Sequence, residues 1–305
     1  MPQYILKRLM GTLGVMLVIA ILAFFFVHML PGDPVRMIAG EDATFQEMEI
    51  LRQKLGLNLP LHQQFYLFMV NLLQLDFGTS LISGDAVYDV LSHRYVLTAK
   101  LTLVSLWFIP AGIILGVVAA THKSRFLDRA CMVFSVSGIS VPEFWFGLIL
   151  IQIFAVKLQW FNPTGFQSLA DLTLPAITVG MMGTAVIARF TRSAFLDVLS
   201  ENYIQTARAK GVKRFNVTYV HALRNAMLPI ITVIGLQIGF ILSGSIVVEA
   251  IFGLPGLGSL LIESVVARDH PVVQTLLLLY SFHFVMINFV VDVLYTVINP
   301  QVRLK

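Results

Sequence analysis

Charge is scarce in this sequence, and cysteine is nearly absent. Lys, Arg, Asp and Glu together make up 12% of its 305 residues, where soluble domains carry about 25%. A chain so poor in charge is not built to meet water on every side. The single cysteine, Cys131, excludes an internal disulfide and any cysteine-rich metal site. No Gly-Lys pair occurs, so there is no phosphate-binding loop of the G-x-x-x-x-G-K-[ST] kind. No His-Glu-x-x-His occurs, and the seven histidines are scattered without metal-ligand spacing. The run Gly138-Ile139-Ser140 lacks the pattern that presents a nucleophilic serine. No internal repeat or low-complexity tract is visible. The expectation is a non-catalytic chain with no metal or cofactor of its own.

What the sequence has is long apolar runs. Hydrophobic residues make up 57% of it, and the mean hydropathy is +0.82. Runs of about 20 apolar residues fit membrane-spanning helices and not the short alternating strands of a barrel. Six spans are predicted, near residues 9–30, 101–121, 130–156, 172–190, 227–248 and 273–297. The first run is too long for the core of a signal peptide, and no small-x-small cleavage site follows it.

The basic residues orient the spans. With the amino terminus inside, the inner segments hold 14 of the 21 Lys and Arg, and only Asp128, Asp197 and Glu201 oppose them. The outer segment, residues 31–98, reverses the balance with eight acids and four bases. It is too long for a bare loop. A helix is expected over residues 45–55, closed by Gly56, a second from Pro60 to about residue 75, and a third over 86–94. This segment reads equally as a cap on the bundle and as a docking surface for an external protein. The division expected is a first helix (1–30), an extracytoplasmic helical segment (31–98) and a five-helix core (99–305) with an inner loop at about 191–227.

That inner loop is the most informative stretch. Residues 197–209 read as a helix with a polar face, stopped by Gly211. A second short helix is expected over 214–223 with Phe215 among its apolar contacts, and Leu228-Pro229 then restarts the chain into the membrane. A helix closed by glycine on the inner face is a handle that a soluble partner can grip. Polar groups inside the spans mark a route for solute, because each is costly unless it faces protein or water. Glu143 follows Pro142 in the third span, and the proline, which removes one helix hydrogen bond, suits a bent helix lining a cavity. Gln237, Ser243 and Ser245 lie in the fifth, and Asn288 and Asp292 in the sixth. An ion-coupled transporter using Glu143 and Asp292 is the rival reading, but it lacks the repeated halves such folds carry.

The run from Thr206 to Gly211, with His221-Ala-Leu-Arg-Asn-Ala-Met-Leu-Pro229, resembles the EAA loop of ABC importer permeases. Leu30-Pro-Gly-Asp-Pro34, Asp76-Phe-Gly78, Gly244-Ser-Ile-Val-Val-Glu249, Phe252-Gly-Leu-Pro-Gly-Leu-Gly258 and Arg268-Asp-His-Pro-Val-Val-Gln274 are similar to motifs of the peptide/nickel branch. Asp197-Val-Leu-Ser-Glu201 and Val291-Asp-Val-Leu-Tyr295 resemble its glutathione importers most. The loop departs from the general pattern in having Gln205-Thr206-Ala207 for Glu-Ala-Ala. The resemblance implies an all-α type I importer permease with six transmembrane helices, for short peptides or peptide-like solutes, nickel or metallophores remaining an alternative. It implies four kinds of partner in the inner membrane system: a second permease, two subunits that bind ATP and Mg²⁺, an external solute-binding protein, and the bilayer. It places coupling on Tyr203, Thr206, Ala207, Arg208, Ala209, Lys210, Gly211 and Phe215. Glu143, Gln237, Ser243 and Asn288 are the pathway candidates.

Overall fold

The structure is a computed structural model that describes residues 2–29, 34–39, 43–213 and 215–298. Among these residues every regular element is a helix. Thirteen α-helices follow in order: α1 (Pro2–Met29), α2 (Pro34–Ala39), α3 (Phe45–Lys54), α4 (Leu61–Leu73), α5 (Val87–Ser105), α6 (Phe108–Thr121), α7 (Phe126–Ser140), α8 (Glu143–Leu150), α9 (Thr173–Ser200), α10 (Asn202–Ala209), α11 (Leu223–Ile251), α12 (Leu257–Ala267) and α13 (His270–Ile298). Two wide π turns, Ile151–Lys157 and Asn216–Ala222, extend α8 and precede α11. Five helical stretches are long and apolar enough to cross a membrane, or six if the bent α7–α8 pair counts as one.

The outer helices begin and end where the sequence signals them. Thr44 caps α3 through a reciprocal box: its hydroxyl accepts from the Glu47 N–H, and the Glu47 carboxylate accepts from the Thr44 N–H. The Thr44 backbone N–H, then its hydroxyl, hold the Glu47 carboxyl below the usual carboxylate range. Pro60 opens α4. The expected third outer helix is not a separate element. It forms the first turns of α5, which runs on to Ser105 and, through Leu106-Trp107, into α6. The reason is local: no Gly or Pro interrupts residues 86–109, and Val87, Leu91, Leu97 and Leu101 are all buried. Arg94, read as an outer-helix end, pairs sideways with Glu263 of α12 at 3.1 Å.

The centre of the bundle is α9, the most buried of the apolar spans. Its partner α6 lies so close that a Cβ on Gly116 would sit 2.5 Å from the Thr191 Cβ and 2.7 Å from the Ala188 carbonyl oxygen. Only glycine lets the two backbones approach this way. Asp128 at the start of α7 is 5% exposed and receives a two-pronged contact from Arg192 of α9, at 2.6 and 2.9 Å. At the edge of the bundle α1 packs along α13, where Arg8 pairs with Asp292.

The bend expected at Pro142 is present and sharp, and two further expectations change. In the third span Val141 is extended, the conformation that a following proline favours, and α7 and α8 meet at 104°. The inner helix over 197–209 is two helices, because Glu201 is extended between α9 and α10. Leu228-Pro229 does not restart the chain. Pro229 lies inside α11, where it removes one hydrogen bond while neighbours Ala226 and Ile230 stay fully packed.

Candidate functional site

Two places hold the residues singled out from the sequence. The first is the hairpin from α10 to the start of α11. Ile204, Val217 and Ala222 are buried against Phe195 of α9 and Val117 and Ala120 of α6. Those contacts fix the hairpin to the bundle and leave its other face free. Tyr203 holds the two arms together, its hydroxyl accepting from the Asn225 amide at 2.7 Å. The helix end is a Schellman turn. The Gly211 N–H donates to the Arg208 carbonyl at 3.0 Å, and the Val212 N–H to the Ala207 carbonyl at 3.2 Å. Gly211 takes φ +76° to close it. Ala207 and Val212 complete the turn by packing into the same apolar cluster.

The free face carries Tyr203, Thr206, Arg208, Ala209, Lys210, Gly211 and Phe215, all exposed. Thr206 satisfies its own hydroxyl on the Asn202 carbonyl at 2.9 Å. The Phe215 ring packs on Tyr219 with centroids 4.7 Å apart. Tyr219 and Asn225 were missed in the sequence. The i, i+4 spacing of Phe215 and Tyr219 on one helical face was the available signal.

The second place is a cavity of about 350 Å³ lined by Glu143, Val179, Met182, Gly183, Gln237, Phe240 and Ile241. It brings together two of the four pathway candidates, Glu143 and Gln237, from α8 and α11. Asn288 is not on its wall; its amide donates to the Phe284 carbonyl at 2.8 Å on an exposed part of α13. The Ser243 side chain lies outside the described residues. Ser245 is fully buried and lines no part of the cavity. Asp292 is the ion-pair partner of Arg8.

A third arrangement was not foreseen. Glu249 of α11 is fully buried. One oxygen accepts from the Thr98 hydroxyl of α5 at 2.7 Å, and the other from the Gly258 N–H at 2.6 Å and the Ser259 N–H at 3.3 Å. Thr98 in turn accepts from the Leu257 N–H at 2.8 Å. A carboxylate at a helix start answers its free N–H groups, so Glu249 and Thr98 together seat α12 against α5 and α11. The sequence signal was an acid at the end of an apolar span, seven residues before Gly256.

A bundle of membrane helices with a glycine-closed hairpin on its surface and a mostly apolar cavity holding one carboxylate and one amide is an arrangement suited to an importer permease. The solved structure of the MetNI methionine ABC transporter, in inward-facing conformations, shares this fold: TM-score 0.56 at 19% identity, over 69% of this chain and 96% of that one. Residues 112–304 match the family described as binding-protein-dependent transport system inner membrane component, and residues 1–102 match its amino-terminal membrane component. The chain belongs to this family and is a multi-pass inner-membrane permease of ABC importers. It is 49% identical to the glutathione transport system permease protein GsiC of Escherichia coli strain K12, over 100% of both chains. It has the same identity and coverage to GsiC of Shigella dysenteriae serotype 1 and of Salmonella choleraesuis.

Proposed function

We propose that this chain is the permease subunit of an ATP-driven importer for glutathione or a closely similar peptide-like solute. The observation that carries the reading is the 49% identity to the GsiC proteins across the full length of both chains. In this reading the chain itself hydrolyses nothing. It pairs with a second, similar permease and receives solute from an extracytoplasmic binding protein. Two partner subunits bind ATP and Mg²⁺. The exposed face of the Gly211 hairpin meets one of them, and the cavity at Glu143 and Gln237 lies on the solute route. Closure of the ATP-binding pair would pull the hairpin and tilt the helices packed on it, a two-state switch biased by nucleotide.

The complete transporter in proteoliposomes tests the reading. Uptake of labelled glutathione should need internal ATP and be indifferent to a proton gradient. Uptake that follows the gradient without ATP would favour an ion-coupled carrier instead. The pairing of Asp292 with Arg8 already gives that acid a structural partner.

Both termini are proposed to be cytoplasmic and residues 31–98 extracytoplasmic, as a segment between the first helix and the core (99–305). With Cys131 replaced, cysteines introduced at Ser83 and Ser124 test this. Both positions are exposed, and the continuous α5–α6 stretch separates them. Ser83→Cys should react with an impermeant maleimide from outside and Ser124→Cys only from inside. Reaction of both from one face would overturn the topology.

A further inference from the structure

Most carboxylates on the apolar helices are answered by protein. Asp128 is held by Arg192, Glu249 by Thr98 and the start of α12, and Asp292 by Arg8. Asp171 is held by Asn162 and by the Gln167 and Ser168 N–H groups. Glu143 differs. It has no hydrogen-bond or ion-pair partner among the described residues, and neither has Gln237. These two unanswered groups face the same cavity, whose remaining wall is Val179, Met182, Gly183, Phe240 and Ile241. An isolated carboxylate at membrane depth costs about 2.5 kcal/mol or more. A cation in the cavity offsets that cost, and an amide beside it supplies a donor and an acceptor for a peptide group. At about 350 Å³ the space is many times the ~15 Å³ that one water needs.

We propose that this cavity reads the free amino group of the solute. The Glu143 carboxylate takes the ammonium, Gln237 bonds the neighbouring carbonyl or amide, and Met182, Phe240 and Ile241 hold the apolar remainder. Selection by the permease is thus for amine-bearing solutes, in addition to whatever the external binding protein selects. The location supports it: the bend at Pro142 starts α8 at Glu143, so the carboxylate sits at a corner between two helix segments and not along a packed face. The inference rests on the reading that this cavity lies on the route of a peptide-like solute.

The test compares S-methylglutathione with its N-acetyl derivative, taken up by the complete transporter in proteoliposomes. Glu143→Gln should lower the ratio of free-amine to N-acetyl uptake at least about tenfold, the scale of a lost charged hydrogen bond. Glu143→Asp should keep most of the preference. Because the binding protein is the same throughout, its own selectivity cancels in the ratio between variants. An equal fall for both solutes, or no fall, overturns the inference and leaves the importer reading standing. Uptake of neither solute by the unaltered transporter overturns the solute reading itself; a dipeptide and its N-acetyl form then decide the role of Glu143 by the same ratio. If Glu143→Gln does not assemble, labelling decides. In a Cys131→Ser chain, maleimide reaction of Met182→Cys should be slowed by S-methylglutathione and not by the N-acetyl form; equal slowing by both counts against the inference.

Discussion

Replacing Gly211 by valine is expected to lower ATP-driven uptake about tenfold or more while the protein still reaches the membrane. The cause is backbone conformation and not crowding. Gly211 has φ +76°, and among the described residues beyond its chain neighbours no atom lies within 4 Å of where a Cβ would stand. A β-branched residue is disfavoured at positive φ by about 1–3 kcal/mol, enough to open the Schellman turn and release Val212 from the apolar cluster. The exposed face of α10 would then no longer be held at one angle to α9 and α6. ATP hydrolysis by the assembled complex should continue, so the ratio of uptake to hydrolysis is the quantity to measure. Gly211→Asn supplies the control, since asparagine tolerates the left-handed region, and it should retain most of the uptake. Normal coupling in the valine variant would show that the turn transmits nothing.

The second large effect is expected at Glu249. Glu249→Gln preserves volume, yet with its NH2 toward α12 the amide sets a donor against the Gly258 N–H, and with its NH2 toward Thr98 the hydroxyl must turn its own proton away from the cluster. It also removes the negative charge that the start of α12 faces. Hydrogen bonds to a charged group contribute about 1.5–3 kcal/mol each, so a destabilisation of about 3 kcal/mol is expected. It should appear as a lower thermal unfolding midpoint of the purified complex. Thr98→Val removes one donor and one acceptor of the same cluster and should cost less, about 1–3 kcal/mol. An unchanged midpoint for Glu249→Gln would mean that α12 is seated by its apolar contacts with Val87 and Leu91 alone.

Local signals in the sequence carried the number of spans, the starts of α3 and α4, and the turn at Gly211. Each depends on residues a few positions apart: Thr44 with Glu47, Pro60 with the stripe after it, Ala207 with Val212. What the sequence did not reveal depends on distant partners. Arg192 and Asp128 read as loop charges that orient the chain, yet they are 64 residues apart and form a half-buried pair between α7 and α9. The role of Glu249 required knowing that Thr98 and Gly258 meet it. The 104° bend was half legible: Pro142 announced a break, but its angle is set by the packing of α8 against α9 and α11. At the cavity, the cost of a polar group in an apolar span picked out Glu143 and Gln237 together with Asn288, which the same argument could not separate from them.

The α5–α6 run, joined through the turn at Leu106-Trp107, has a mechanical consequence. Val87–Thr121 spans 35 residues, about 52 Å at 1.5 Å per residue, well beyond the ~30 Å of a hydrocarbon core. Its Val117 and Ala120 end is packed under the Gly211 hairpin, while its Val87, Arg94 and Thr98 end is tied to α12 and to Glu249. In the proposed switch the run would act as a lever with a load on each side of its midpoint. A rocking of about 5° around its midpoint shifts the two ends by about 2 Å in opposite directions. In the proposed switch, a push received at the hairpin would reach the Glu249 cluster with its sense reversed and its size cut by about half, because Thr98 lies about 9 Å from the midpoint and Val117 about 20 Å.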